Sequence, residues 1–430
     1  MKETNEIKLD EEEFFEKPAE INEELLKKET EDQLNILTKK YNAVQNISND
    51  TIMVAKFDEV GGHVTYIIKG TIFEKEIKRR FKEFFAFYEK LKQKWPGIYI
   101  PPISKKQVFS NLDIETLKKR KNQLDNFVKE LYKITYLFES EESKIFFSPE
   151  YGEDTNNDVI KALNKLPIYT KSEMRDNYEK KIQPFYADLK KKDFNDEQYQ
   201  YCMQYIDNFL NKLTQHKEMC IKISSEKEEM IKNSSETLQS YENFEKLAVS
   251  EFIENNNSKL IFFNASNFKL NQALLDFKKG MKNPYQVLAS WVRQKEIELL
   301  SMKESLNKYN KLFSEKQSLI NDLHSIENKI NDLNQGKKGF FATITMQDPE
   351  KLKEKYNSEK TAKENDIADM EKMIEILKDY YSFYIYDFFK LLKISLYDLM
   401  KNFADCNLSN CIKISEFWLK VQVEENQINN

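Results

Sequence analysis

Glycine and proline are spread so unevenly along this 430-residue chain that their positions alone bound its fold. Between Gly61 and Gly152 they recur often, at Gly62, Gly70, Pro96-Gly97, Pro101-Pro102 and Pro149. Beyond Gly152 there remain only Gly280, Gly336 and Gly339, with Pro167, Pro184, Pro284 and Pro349. In a helix interior glycine costs about 1 kcal/mol and proline about 3 kcal/mol relative to alanine. Their near absence over the C-terminal two-thirds therefore predicts very long helices. With 40% hydrophobic and 32% charged residues, the chain suits helices that bury one stripe better than a thick core.

Residues 1–50 read as an acidic, mostly disordered tail containing Asp10-Glu11-Glu12-Glu13, with room for a short helix over 23–40. Residues 51–150 read as a compact α+β module. Thr51–Phe57 and His63–Ile68 are β-branched and aromatic runs separated by a hairpin signal at 58–62, and a third run, Gly70–Ile77, leads into Arg79-Arg80. Helical spacing follows from Phe81 to Lys94 and is stopped by Trp95-Pro96-Gly97. Pro101-Pro102 favours an extended segment. A second helix over 113–132 places Leu117, Leu124, Phe127, Val128 and Leu131 on one face.

Residues 151–184 read as a linker. Within it Thr170-Lys171-Ser172-Glu173 is a capping box that starts a helix. Its apolar positions Met174, Tyr178, Ile182, Phe185 and Leu189 fall on one stripe, beside Arg175, Lys180, Lys181 and Lys190–Lys192. This is either an amphipathic wedge for a membrane or a helix that packs on the C-terminal bundle.

From 185 to 425 three helical arms are expected. The first carries Phe209, Leu213, Cys220, Ile223, Met230, Tyr241, Phe244 and Ala248, and the second carries Leu319, Leu323, Ile326, Ile330 and Leu333 after a kink at Asn283-Pro284. The third starts at Asp348-Pro349 and carries Met370, Ile374, Leu377, Tyr381, Tyr384, Phe388 and Leu391. Such repeats give left-handed supercoiled packing, and a helix of about 70 residues is on the order of 100 Å long. The stripe of the third arm is broader than a three-helix monomer needs, which predicts a dimer.

Three basic clusters in the N-terminal module carry the chemistry: Arg79-Arg80 ahead of Phe81, Lys105-Lys106 after the proline pair, and Arg120 on the second helix. This is the layout of a pocket for a small polyanion. A phosphorylated ring needs fixed donors for its charge and an apolar plate for its face. Arg80 offers a bidentate fork and Phe81 offers the plate. Lys105 or Lys106 can meet a second phosphate from the proline loop, and Arg120 can donate to ring hydroxyls.

The order and spacing of these residues resemble the phosphoinositide-binding PX domain. The resemblance implies that Arg80 binds the 3-phosphate, Phe81 stands where the family usually has tyrosine, Lys106 contacts the 1-phosphate and Arg120 binds the 4- and 5-hydroxyls. Arg79 and Lys105 join them as candidate phosphoinositide-binding residues. Ile98, Tyr99 and Ile103 would form a membrane-inserting tip on the proline loop, with Ile98 alternatively in the core. The three arms look like a BAR domain of the sorting nexin type, through the run from Pro284 to Arg293 and the run from Phe388 to Trp418. The implied fold is an α+β N-terminal PX domain, a three-stranded sheet plus helices, followed by an all-α elongated three-helix BAR-type coiled-coil bundle.

In BAR dimers the concave face and tips are basic, so Lys278, Lys279, Lys282, Arg293, Lys337 and Lys338 are candidate membrane contacts. Phe340 and Phe341 either insert in the membrane or cap the bundle. The resemblance implies a peripheral protein on the cytosolic face of endosomes that binds phosphatidylinositol 3-phosphate and anionic membranes, and that senses or induces curvature for tubulation and sorting. Its implied partners are a second copy or another BAR-type sorting nexin, together with a retromer-like cargo complex. The rival reading is a PX-tethered coiled-coil scaffold that does not bend membranes.

Other classes find no support in the residues. A formal net charge of −5 gives no global basicity for nucleic acid. No uncharged apolar run approaches the roughly 18 residues of a spanning helix, and the acidic N-terminus does not look like a signal peptide. Cys202, Cys220, Cys406 and Cys411 form no CxxC pair, so reduced thiols without metal are expected. His63, His216 and His324 lie in three different elements, and no HxK, HExxH, Walker, GxGxxG or GxSxG motif occurs. No enzyme activity, catalytic residue, metal or cofactor is expected.

Overall fold

The computed structural model describes residues 51–60, 62–104, 113–152, 158–186, 194–244, 280–335 and 349–428. The expected acidic tail lies outside these residues.

The N-terminal module opens with an antiparallel sheet in the order β1-β2-β3, from Ile52–Val60, His63–Gly70 and Ile77–Arg80. The third strand is shorter and later than the sequence suggested. Gly70 ends β2, Thr71 N–H bonds back to the Thr51 carbonyl, and residues 71–76 form a turn. The register of β1 on β2 shifts between Val54 and Lys56, and the Val54 N–H is taken by the Asp125 carboxylate at 2.8 Å. That bond ties the edge strand to the second helix.

Helix α1 spans Phe81–Lys94 and α2 spans Ile114–Lys133. Asp113 caps α2 by accepting from the Thr116 N–H at 2.7 Å. The expected face of α2 is the buried one, from Leu117 through Leu131. Short helices α3 (Thr135–Phe138), α4 (Glu141–Phe146) and α5 (Val159–Lys165) close the module. Its core is aromatic: the Phe87 and Phe146 rings stack 4.3 Å apart, with Phe84, Phe127 and Phe147 edge-on around them.

Helix α6, Lys171–Lys181, starts at the predicted capping box, with Thr170 and Glu173 bonding reciprocally. It packs on the long helices: Tyr178 and Ile182 are fully buried, and Arg175 pairs with Asp369 at 2.9 Å. A one-turn helix, α7 (Gln183–Tyr186), follows, and Tyr186 meets the Tyr380 ring edge-on.

The long helices are α8 (Asp196–Phe244), α9 (Pro284–Asn334) and α10 (Pro349–Ile428). At 1.5 Å per residue the last is about 120 Å long. Pro284 opens α9 and does not kink it, because Asn283 caps the helix by accepting from the Tyr285 N–H and proline suits a first helical position. Asn283 also donates to the Ser224 carbonyl on α8, and Asn410 on α10 holds both backbone polar groups of Lys282. Helix α9 lies between the other two. Lys217–Glu296 and Lys303–Asp207 join it antiparallel to α8, while Lys316–Glu371, Lys363–Asp322 and Lys360–Glu327 join it antiparallel to α10. Such part-exposed pairs set register more than stability. The α9 stripe from Leu319 to Leu333 is mostly half-buried, with Ile326 alone fully covered. At that end α9 and α10 run past the start of α8.

The module and the helices meet through residues 95–104, and one expectation is corrected there. Ile98, Tyr99 and Ile103 do not form an exposed tip; they are 3%, 7% and 8% exposed. The Tyr99 ring packs against Tyr384 and Phe388 of α10. The α10 stripe is covered within the chain only in part, and Leu391, Ile394 and Tyr397 stay exposed. Around Tyr380, Tyr381 and Tyr384 its breadth is covered by Tyr99, Tyr186 and Phe194 of the same chain. Three loop carbonyls are gripped from three helices: Tyr178 donates to Pro96 at 2.5 Å, Tyr381 to Gly97 at 2.6 Å and Ser301 to Ile100 at 2.6 Å.

Gly97 makes this fit possible. Its φ is +83°, and a Cβ there would lie 3.0 Å from Leu377 Cδ1 and 3.4 Å from the Tyr309 backbone. Gly62 shares the conformation (φ +75°) but has open space around it. A left-handed residue costs about 1–2 kcal/mol when it is not glycine. Gly62→Ala is therefore expected to lose about that conformational amount, and Gly97→Ala clearly more. Denaturant melts of the two variants check this, and equal losses would show that the junction has slack.

Candidate functional site

Strand β3 ends in two arginines that the pleat sends to opposite faces. Arg79 turns inward and is 1% exposed. Its Nε donates to the Phe146 carbonyl at 2.8 Å, Nη1 to Lys78 at 2.6 Å and Tyr151 at 2.7 Å, and Nη2 to Ser148 at 2.6 Å. The guanidinium also sits 5.6 Å from the Phe146 ring centroid. Burial lowers its pKa to about 10, so it stays charged at neutral pH. Gly152 lets the chain pass close, since a Cβ there would stand 2.8 Å from Nη1. The expectation that Arg79 binds phosphate is corrected: the structure commits it to holding the 146–151 turn.

Arg80 faces the other way and is half-buried. It occupies the N-cap position of α1, with φ −82° and ψ 156°, and its N–H is accepted by Glu83 Oε2 at 2.7 Å. Phe81 is therefore the first residue of α1, held at a fixed angle to the strand. Arg120 comes from α2 and is 8% exposed, with its Cζ 4.4 Å from the Phe81 ring centroid. That is cation–π geometry. One face of the expected ring plate thus already carries a guanidinium.

Tyr66 of β2 lies beside Arg120 and is fully buried. Burial raises its pKa, and the charge of Arg120 offsets part of that rise. No local pattern marks Tyr66, nor the buried pair of Lys94 with Glu142, 3.0 Å apart at 4% and 2% exposure. Both depend on contacts between distant elements.

The structure brings Arg80, Phe81 and Arg120 together and sets Arg79 apart. Lys105 and Lys106 lie outside the described residues, as do Lys278, Lys279, Lys337, Lys338, Phe340 and Phe341. Lys282 is exposed at the head of α9, and Arg293 is half-buried three turns further on. Among the described residues no group of His, Cys, Asp or Glu is arranged to hold a metal ion, and no helix is long and apolar enough to cross a membrane.

Residues 70–150 match the model of the PX domain family, so the strand pair ahead of Arg80, both flanking helices and the closing turn fall within or beside that match. A solved structure described as the cryo-EM structure of the SNX-BAR Mvp1 tetramer is similar at 15% sequence identity, with a TM-score of 0.46. The similarity covers 86% of this chain and 99% of that one. No curated protein matches the chain.

Removing the Arg79 guanidinium leaves the buried Phe146 carbonyl and three part-buried carbonyls without this donor, the buried one at a cost of about 1–3 kcal/mol. Arg79→Ala is expected to lower the melting temperature and to expose the 146–152 turn to protease. Thermal melting with limited proteolysis measures this. A variant that melts like the parent would return Arg79 to the candidate binding residues.

Proposed function

We propose that this chain, in which a PX domain precedes three long helices in the order of the PX-BAR sorting nexins, is a peripheral membrane protein of that family. It binds phosphatidylinositol 3-phosphate on the cytosolic face of endosomes, and it senses or induces curvature for tubulation and sorting. It acts as a binding protein, not as an enzyme. The observation that carries the reading is the meeting of Arg80, Phe81 and Arg120 at one corner of the matched domain. A fork at a helix N-terminus beside a second fork stacked on a ring suits a phosphate next to ring hydroxyls. Lys106, following the proline segment, supplies the second phosphate contact.

The long helices supply the frame. Apolar side chains stay exposed toward one end: Met219, Met230 and Phe244 on α8, and Tyr397, Leu408, Ile412 and Trp418 on α10. Exposed apolar side chains gathered toward one end support association, with a second copy or a related chain as the partner. Two headgroup sites on one dimer multiply avidity. Lys282 and Arg293 add to attraction for an anionic leaflet, at about 1 kcal/mol per basic residue near the surface. A retromer-like cargo complex is the further partner on this reading.

The test is co-sedimentation with vesicles that contain or lack phosphatidylinositol 3-phosphate, with electron microscopy of the same samples. Arg80→Ala is expected to lower affinity for the former by at least about tenfold, the order of a lost charge-assisted bond. Unchanged sedimentation sinks the lipid assignment. Bound vesicles that stay round favour a tether over a membrane-bending protein.

A further inference from the structure

Of the 67 basic residues only five are arginine: Arg79, Arg80, Arg120, Arg175 and Arg293. A chain that meets nearly every need for positive charge with lysine keeps arginine where a fixed planar fork is required. Arg79 fits that rule through its four bonds to carbonyls. Arg175 fits it by bridging Asp176 and Asp369. Arg120 is placed over a ring and is almost fully buried, so what fixes its plane matters.

Phe81 forms one wall, 4.4 Å from the guanidinium carbon. Tyr66 stands at another. It comes from the central strand, and its ring is wedged between Phe84 at 6.2 Å and Phe57 at 6.3 Å, so its position is set by packing. Its hydroxyl is fully enclosed and has no bond within the ordinary limits of length and angle, and Arg120 is the neighbour that reaches it as a donor. The hydroxyl still lies within the electrostatic reach of Arg120, whose charge works against the rise that burial imposes on the phenol. An enclosed hydroxyl held only by so loose a contact is costly, and phenylalanine would fill the same space without that cost.

We propose that Tyr66 and Phe81 are positioning residues of the headgroup site, which together fix the plane of the Arg120 guanidinium. Phe81 acts through its ring face, and Tyr66 acts through the dipole of its enclosed hydroxyl. The proposal rests on the reading of this corner as a phosphoinositide site and adds its selectivity. A fork locked against two walls can reach ring hydroxyls but leaves no room for phosphates in their place. A fork free to swing would accept those phosphates. Discrimination against headgroups with a further phosphate at the 4 or 5 position is thus assigned to two residues that need not touch the lipid.

The full-length Tyr66→Phe variant tests this. Its melting temperature is expected to match or exceed that of the parent. Affinity for vesicles with phosphatidylinositol 3-phosphate should fall by about tenfold, which corresponds to about 1.4 kcal/mol. The preference over vesicles with phosphatidylinositol 3,5-bisphosphate should narrow in parallel. Phe81→Tyr keeps the ring face and should behave as the parent, whereas Phe81→Leu should resemble Tyr66→Phe.

A second measurement does not need lipid. With 15N-arginine as the sole label the chain gives five side-chain signals, and Arg120→Lys identifies one of them. That signal should be shifted by the Phe81 ring in the parent, and it should move toward the solvent position in Tyr66→Phe. Unchanged affinity and selectivity in Tyr66→Phe overturns the proposal. So does an Arg120 signal that ignores both Tyr66→Phe and Phe81→Leu, or a loss of binding that only tracks a lower melting temperature. If the parent binds no phosphoinositide, the headgroup reading fails, and the arginine signal alone decides whether Tyr66 sets the fork.

Discussion

The carbonyl oxygens of Pro96, Gly97 and Ile100 face away from their own module and into an interface lined with aromatic rings. Left unpaired there, each would carry a desolvation cost of about 1–3 kcal/mol. Each is met by a side-chain hydroxyl from a different helix: Tyr178 on α6, Tyr381 on α10 and Ser301 on α9. Because three helices contribute, the loop senses their relative placement, and a shift of any one breaks a bond. The short ion pair of Lys92 with Glu304, at 2.5 Å, lies beside this cluster. The loop that a free-standing module would offer to its surroundings is here the plug that joins the module to the helices.

That arrangement changes the meaning of two sequence features at once. By composition, the apolar residues of the proline loop are available for a membrane, and the aromatic breadth of the third long helix is available for a second chain. Around residues 380–388 each is instead the partner of the other. Tyr99 fills the space beside Tyr384 and Phe388, and Phe194 stacks on Tyr381. A surplus of apolar residues on one element shows that something must cover it, but the identity of the cover is long-range information. Residues 99 and 384 are far apart in the chain, and no local pattern pairs them.

The legible parts of the chain are those set by local chemistry. Scarcity of glycine and proline foretells the lengths of α8, α9 and α10. Asp113, Thr170 and the Asn283-Pro284 pair mark helix starts through capping, although a proline at the last site is equally compatible with a kink until the capping bond is seen. The signal that separates Arg79 from Arg80 lies in period-2 alternation, since two adjacent residues of a strand cannot both face one ligand. The basic cluster masks it by making the pair look like one unit. At the site, Arg80, Phe81 and Arg120 are legible from type and spacing. Tyr66 is not, because its relevance lies in the distance from a strand residue to a guanidinium on a helix more than fifty residues later.

The junction and the site constrain each other. Arg80 and Phe81 begin α1, and α1 ends at Trp95, which packs against Tyr136 and Tyr178 before the chain enters the gripped loop. One helix therefore carries the candidate anion site at its first residue and the anchor to the long helices at its end. Fourteen residues of α-helix separate the two, a length of about 21 Å. On the proposed function, the direction in which a headgroup enters is then set by the long helices through α1, not by a flexible tether. A tethered module would find lipid on any nearby surface. A module held at both ends of one helix binds well only when the surface also suits the frame, and that is how a single headgroup site can be made to depend on membrane shape.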